Sequence, residues 1–384
     1  MLNAKCLILN VKYISNSVLS LSIKHLALSI ILVGCGLFEL PESGRRRPAD
    51  APATGRPTPG VGAVTSDKMQ PRRFNDLPGW KDDDHRYALQ AFRHSCSTRL
   101  RPSGRIQPDP QAWESVCAAL PKHSPSVREA REWFERHFQP FEIVDGTPGR
   151  HTGYFSPVVP ACRVQTDECR VPIMERPTDG RQYVGVDSVR IVNERIGNIL
   201  YWIHPIDLQD KGSSTIVLED GTRVQLSTQT TNQLPFNGIG AQLLARGIRP
   251  DCGMGMRCVR EFLKRPENRE LADELVANNP RYVFYTHQAT QHVVGRMGVP
   301  LSRIRSIAVD ENIYTMGMPF WLDTTLAKNN QPFRRLMIGQ DTGGAILGYN
   351  RTDIYFGSGD IAFNYAQGQN TTGRLFLLMP RVAR

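Results

Sequence analysis

The chain lacks an apolar run long enough to cross a bilayer as a helix. Its longest candidate, Leu26-Ala27-Leu28-Ser29-Ile30-Ile31-Leu32-Val33, is too short for a hydrocarbon core. It has no Cys-x-x-Cys and no His-Glu-x-x-His pattern, and His287 and His292 stand off the i,i+4 spacing that puts two ligands on one helix face. No metal site and no other cofactor is therefore expected. There is also no Gly-x-Ser-x-Gly elbow and no phosphate loop, and Gly238-Ile239-Gly240 alone does not make a nucleotide site. No internal repeat is visible, which sets solenoids and propellers aside.

What is present describes an exported globular protein. The 384 residues suffice for a sizeable core and for two domains. Gly and Pro are in some excess, which favours loops and β structure. The formal charge is +10, suited to an acidic polymer. Lys5, Lys12 and Lys24 precede Cys35 and no acidic residue does. These lysines, the short apolar run and Gly34-Cys35 read as a signal peptide over residues 1–35. Leu32-Val33-Gly34-Cys35 resembles the bacterial lipobox, whose Cys is acylated and becomes the mature N-terminus. Gly36 is not the aspartate of an inner-membrane retention signal, so the expected location is the outer membrane of a Gram-negative bacterium, anchored in lipid through Cys35 and facing the periplasm. That location argues against nucleic acid as the partner. The stretch before Lys24 is long for an n-region and points to a later true start.

Six cysteines remain beyond Cys6 and Cys35: Cys96, Cys117, Cys162, Cys169, Cys252 and Cys258. An even count in an oxidising compartment reads as disulfides. Proximity groups them as 96–117, 162–169 and 252–258, although six cysteines allow fifteen connectivities.

Residues 36–75 read as a tether: Arg45-Arg46-Arg47 and then scattered Pro, Gly, Ala and Thr, too little apolar surface to offset ordering entropy. Three helices are expected next. Asp82-Asp83-Asp84 supplies capping groups ahead of Tyr87, Ala88, Ala91 and Phe92. Trp113, Val116, Cys117 and Leu120 follow Pro110, and Ser124-Pro125 reads as N-cap and N1 ahead of Val127, Ala130, Phe134 and Phe138. From about 141 to 240 short alternating runs predict strands, including Tyr183-Val184-Gly185-Val186, with a hairpin turn at Asp220-Gly221. A helical piece over 238–278 should bury Met256, Val259, Phe262 and Leu263. Strands then return from 281 to the end, interrupted by a short helix that Asp360 caps and Gly368 terminates. Trp202 and Trp321 are assigned to cores.

The candidate chemistry lies in aspartates. Gln340-Asp341-Thr342-Gly343-Gly344-Ala345-Ile346 and Arg351-Thr352-Asp353-Ile354-Tyr355-Phe356-Gly357 set two carboxylates twelve residues apart among glycines and apolar runs, and Asp310 ends the run Ser306-Ile307-Ala308-Val309. At strand ends a carboxylate can face a cleft and still be partly desolvated, which raises its pKa and keeps a proton available. Carboxylates in a groove point to glycosidic-bond chemistry; the competing role for each is to hold a turn.

These motifs resemble the 3D domain, named for three aspartates, and the chain from about residue 80 onward resembles the membrane-bound lytic murein transglycosylase A family. Thr152-Gly153-Tyr154-Phe155-Ser156-Pro157, Leu244-Ala245-Arg246-Gly247-Ile248, Asn279-Pro280 ahead of Tyr282-Val283-Phe284-Tyr285, and Phe320-Trp321-Leu322-Asp323-Thr324 agree with it in order. The resemblance implies a mainly β fold with flanking helices: a double-psi β-barrel and a smaller inserted β-barrel domain, with a glycan groove between them. It places a discontinuous catalytic domain at 76–150 and 245–384 and the insert at 151–244. It further implies cleavage of the β-1,4 bond between N-acetylmuramic acid and N-acetylglucosamine of peptidoglycan, without water, to a 1,6-anhydro product.

Asp353 matches the family's acid/base aspartate, and Asp341 and Asp310 match the other two. Asp341 has an electrostatic and a structural role open to it; for Asp310 the structural role leads. Thr152, Tyr154, Phe155, Gly343 and Gly344 are candidates to contact sugar, with core packing or turn formation as the competing role. Peptidoglycan strands are the expected partner, with other cell-wall enzymes as further candidates. The chain departs from the family at Lys211-Gly212-Ser213-Ser214, at Ile206-Asp207-Leu208 and at Tyr314-Thr315-Met316-Gly317, which bears on binding in the insert. A hydrolase using Asp341 to activate water and a non-catalytic wall-binding lipoprotein are the rival readings.

Overall fold

Apolar runs in the last third of the chain, joined by the strand Gly149–Ser156 from earlier in the sequence, become the strands of a closed ring. The computed structural model describes residues 67–177, 198–207, 213–288, 290 and 292–382. The expected leader, Cys35, the tether up to residue 66, the strand at Tyr183–Val186 and the substituted Lys211-Gly212 lie outside the described residues. All the described elements belong to one unit, Thr58–Arg384.

In chain order the strands are β1 (Met69–Pro71), β2 (Phe138–Ile143), β3 (Gly149–Ser156), β4 (Val158–Pro160), β5 (Val171–Met174), β6 (Ile199–Ile203), β7 (Ser214–Val217), β8 (Arg223–Thr231), β9 (Val283–His287), β10 (Ser306–Ala308), β11 (Pro319–Thr325), β12 (Pro332–Asp341), β13 (Arg351–Ser358) and β14 (Asn370–Pro380). The helices are α1 (His85–Cys96), α2 (Pro110–Ala118), α3 (Val127–His137), α4 (Ile239–Ala245), α5 (Met256–Leu263), α6 (Arg269–Ala277) and α7 (Gly359–Ala366).

The large sheet runs β1-β2-β14-β11-β12-β10-β13-β3, and β3 pairs back onto β14. Six strands thus close into a barrel, which removes the free edges an open sheet would expose. Two of its pairings, β10 with β12 and β13 with β3, are parallel. Central strands read as continuous apolar runs because they are covered on both faces: Trp321, Leu336, Met337, Ile338, Phe376 and Leu377 are fully buried.

Helices α1, α2 and α3 cover this core. Asp84 caps α1 by accepting from the Arg86 N–H (3.1 Å), and Asp109 caps α2 by accepting from the Ala112 N–H (2.8 Å). The cap of α3 is Ser126, not Ser124: Ser126 and Glu129 satisfy each other's backbone N–H groups in a reciprocal box. Tyr87, expected in the core, is 56% exposed. It lies on the outer side of the first turn of α1, where the Arg305 guanidinium sits near its ring. Asp83, next to the cap, forms a two-point ion pair with Arg305 (2.6 and 2.7 Å) and accepts from the Leu336 N–H (2.9 Å). Both side chains are almost inaccessible. Removing one member of such a pair costs about 3–5 kcal/mol, because the other charge stays buried. The Cys96–Cys117 disulfide joins α1 to α2, and Cys162–Cys169 and Cys252–Cys258 close two short loops.

The remaining strands form a smaller lobe. The order β4-β7-β8-β9 makes one sheet and β5-β6 another, around a core of Val159, Ile173, Ile203, Ile216, Leu226 and Tyr285. Gly221, at φ +82°, makes the expected turn between β7 and β8. The small sheet takes in β9 at 283–287, beyond residue 244, whereas β3 belongs to the ring; the sequence reading drew both boundaries earlier. Helices α4 to α6 share a core of Ile239, Leu243, Val259, Leu263 and Leu275. Met256, expected to join it, is 55% exposed at the first turn of α5. Trp202 and Trp321 are buried as expected. The N-cap of α7 is Ser358 and Asp360 lies in the first turn.

Ring closure needs glycine where β3, β14 and β11 approach. A Cβ on Gly373 would lie 2.4 Å from the Asp323 carbonyl oxygen, and one on Gly149 2.4 Å from the Gly373 carbonyl oxygen. Backbone cannot yield as a flexible side chain can. Gly373→Ala is expected to lower unfolding stability by about 1–3 kcal/mol, read as a reduced urea midpoint; an unchanged midpoint would show that the strands can part at this point.

Candidate active site

Strand β10 organises the site because it lies between the two aspartate strands. Its Ala308 is in register with Asp341 on parallel β12 and with Asp353 on antiparallel β13. The two carboxylates therefore flank one short strand. The chain leaving β10 is held by the Val309 N–H donating to the Asp341 carbonyl (3.0 Å), and then reaches Asp310.

Asp310 is 5% exposed. It accepts from the Asn312 N–H (3.0 Å), the Asn312 side-chain amide (3.1 Å) and the Gly348 N–H (2.9 Å). It thus fastens the loop joining β12 to β13, and its position fits the structural role.

Strand β3 supplies a hydroxyl to each of the other carboxylates. Its parallel register puts Thr152 beside Asp353 and Tyr154 beside Tyr355. The Thr152 hydroxyl donates to Asp353 Oδ1 at 2.6 Å, and the Tyr154 hydroxyl donates to Asp341 Oδ2 at 2.8 Å. Asp341 Oδ1 also accepts from the backbone N–H groups of Arg296 (2.9 Å) and Thr342 (3.0 Å). Loss of solvation dominates both groups. Burial pushes the Asp353 carboxyl up; Thr152 and the charge of Arg351 pull it down, and Asp341 pushes it up further. Burial likewise raises Asp341, partly offset by its three hydrogen bonds. The Tyr154 phenol is raised well above its usual range by burial and by Asp341, so it remains a donor.

Asp341 opens onto a groove of about 1090 Å³. Tyr154, Phe155, Tyr355 and Arg296 line it from the barrel side, and Ser213, Ser227, Thr228 and Ile239 from the smaller lobe and α4. Asp353 is half-buried, across β10 from Asp341. Phe155 packs against Phe363 with ring centroids 5.2 Å apart. Thr152 spends its hydroxyl on Asp353, so it serves the carboxylate directly. Gly343 begins a turn closed by the Ile346 N–H on its carbonyl (2.8 Å), and a Cβ on Gly344 would meet open space.

The sequence reading gave no role to three groups that shape the site. The Arg296 N–H reaches Asp341 because Gly295 passes close to β12: a Cβ there would lie 2.6 Å from the Gln340 carbonyl oxygen. The Val293-Val294-Gly295-Arg296 run was the available signal. Tyr355 lines the groove. Gln340 is fully buried and ties β12 to α1 and β10 through the Ala91 carbonyl, Ser95 and Ser306.

Barrel and aspartates define a recognised class: residues 305–379 match the 3D domain model, and residues 186–286 match the MltA specific insert domain model. The chain belongs to the membrane-bound lytic murein transglycosylase A family. The lytic transglycosylase LtgG of Burkholderia pseudomallei is 32% identical, with 86% of this chain and 99% of that one covered and a TM-score of 0.62. MltA of Neisseria gonorrhoeae shares the fold at 23% identity, with a TM-score of 0.73 and coverage of 90% of this chain and 99% of that one. The membrane-bound lytic murein transglycosylase A of Escherichia coli (strain K12) is 31% identical over 244 residues; the match spans 59% of this chain and 64% of that protein's length.

Two measurements test the electrostatics. A carboxyl whose folded pKa is raised binds its proton more tightly in the native state, so its contribution weakens the fold as pH rises through the unfolded value toward the folded one. Asp353→Asn, which keeps an acceptor for Thr152, is expected to melt at a higher temperature than the parent at pH 7. The gap should close toward about pH 4, where the unfolded carboxyl also protonates; a lower melting temperature at pH 7 would contradict a desolvated carboxylate. Thr152→Val removes the donor that favours the charged form. It is expected to raise the Asp353 pKa further, read by carboxyl-carbon NMR titration, and a fall would refute the assignment of that bond.

Proposed function

We propose that this protein is a peptidoglycan lytic transglycosylase in which Asp353 carries both proton transfers. The observation that carries the reading is the pair of desolvated carboxylates flanking Ala308, of which Asp341 lines the groove with its oxygens largely taken up by protein donors, while Asp353 across β10 keeps one hydroxyl donor. Protonated Asp353 gives its proton to the bridging oxygen as the bond from C1 of N-acetylmuramic acid breaks. The C6 hydroxyl of the same sugar attacks C1 and returns its proton to Asp353, so the carboxyl is regenerated and no water is consumed. Because the nucleophile is intramolecular, the geometry of the bound sugar supplies a large effective concentration.

Asp341 is the electrostatic partner: its charge raises the proton affinity of Asp353. Its three hydrogen bonds leave it poorly placed to activate water, which weighs against the hydrolase. Asp310 serves as the loop clamp. Tyr154 and Phe155 offer apolar ring faces to sugars along the groove, and Tyr355, 3% exposed, backs its wall. Strands β4 to β9 belong to the inserted domain, and β1 to β3 and β10 to β14 to the barrel domain. Anchoring through an acylated Cys35 would hold the enzyme at the outer membrane, within reach of the wall. Among the described residues no helix is long and apolar enough to cross a membrane.

The test is mass spectrometry of purified murein digested by residues 36–384, beside the same protein with Asp353→Asn. Anhydromuropeptides from the parent only, with turnover lowered at least about 100-fold in the variant, are expected from loss of an acid/base group. Reducing-end products would replace the reading with a hydrolase. Binding without products from either protein would replace it with a wall-binding lipoprotein.

A further inference from the structure

On the other side of Tyr355 from the groove lies a second cleft, of about 270 Å³. The two share Tyr355, Val293 and Leu301 in their walls. The polar lining of the second cleft is one-sided in charge: Arg223, Arg303 and His292 face it together with Thr215, Gln225 and Ser358, and among the described residues no carboxylate lines it. Arg303 lays its stem across Gly357 and donates its Nε to the Phe356 carbonyl (3.2 Å), which leaves its two terminal nitrogens for a ligand. Gln225 is 4% exposed. Its amide oxygen accepts from the Thr215 hydroxyl (2.7 Å), while its buried amide nitrogen has no partner. An unsatisfied buried donor is costly, and here it stands in the wall of a cleft beside two guanidinium groups.

Resting on the transglycosylase reading, we infer that this cleft is an anion subsite that takes a carboxylate of the murein strand while the sugar lies in the groove. Arg223, Thr215 and Gln225 come from β7 and β8, whereas Arg303, Tyr355 and Ser358 come from the barrel side. A bound carboxylate would therefore bridge the two lobes, with guanidinium groups giving the two-point recognition that suits it. Murein offers such a group either on the stem peptide or, where the peptide has been removed, on the lactyl ether of the muramic acid.

Binding is measured by calorimetry with the Asp353→Asn protein, so the result does not depend on turnover. The probes are a disaccharide bearing a stem peptide, the same disaccharide with a free lactyl carboxylate, and a chito-oligomer with no carboxylate. At least one charged probe is expected to bind about tenfold more tightly than the chito-oligomer. Adding Arg223→Gln and Arg303→Gln should erase that advantage and leave chito-oligomer binding unchanged, and Arg→Lys at both positions should restore part of it. Whichever charged probe shows the advantage identifies the source of the carboxylate. Equal binding of all three probes, or an advantage that survives both glutamine substitutions, would overturn the subsite. If the glutamine substitutions weaken the chito-oligomer equally, the arginines support the fold and not an anion, which overturns it as well. Failure of the transglycosylase reading shows separately, as the absence of anhydro products from the parent protein.

Discussion

The structure depends on the double pairing of β3, which hydrogen-bonds to β13 on one side and to β14 on the other. A sheet becomes a barrel only when one strand meets partners on both edges, and then the register of that strand fixes every side chain on it. Here the same register delivers Thr152 to Asp353 and Tyr154 to Asp341. Closure and the candidate site are one structural fact. The cost is close backbone contact, met by Gly149 and Gly373 at the crossing and by Gly153, where a Cβ would lie 2.5 Å from the ring of Phe356.

Two kinds of buried charge sit within this frame, and they differ in how far their partners compensate them. Asp83 and Arg305 neutralise each other at two points and fasten α1 to the barrel. Among the described residues Asp353 and Asp341 have no such cationic partner in contact; hydroxyls and backbone N–H groups stabilise their charge only in part, and their proton affinity rises. A paired carboxylate would hold no proton at neutral pH. An under-compensated one binds its proton more tightly, the direction that general acid catalysis requires. Asp310, satisfied by three donors around a loop, stands with the supports although it belongs to the same motif.

Much of this was legible in the residues. The spacing of Ala88, Ala91 and Phe92, and of Trp113 and Val116, gave helices with the correct buried faces. Asp220-Gly221 gave a hairpin, and cysteine proximity gave pairs within bonding reach. The failures share one cause. Tyr87 and Met256 carry the right periodicity, yet each is more than half exposed in a first helical turn, and local spacing does not reveal what packs above a residue. The Ser126–Glu129 box displaced Ser124-Pro125 because reciprocal bonding outweighs the pattern of a single cap. Arg296 reaches the site through its backbone N–H, an interaction that no side-chain pattern advertises.

The sequence by itself determined the class of elements, the three aspartates, the resemblance that named their family and the local pairs of cysteines, because these are carried by local spacing and residue chemistry. Only the tertiary structure decided what surrounds each aspartate. Asp310, Asp341 and Asp353 are alike as residues. One fastens a loop, one has a raised pKa and is held by a tyrosine and two N–H groups, and one has a raised pKa and keeps a single hydroxyl partner. That distinction comes from desolvation and from donors contributed by β3 and by the Gly295-Arg296 turn, segments distant in the chain that meet only when the barrel closes.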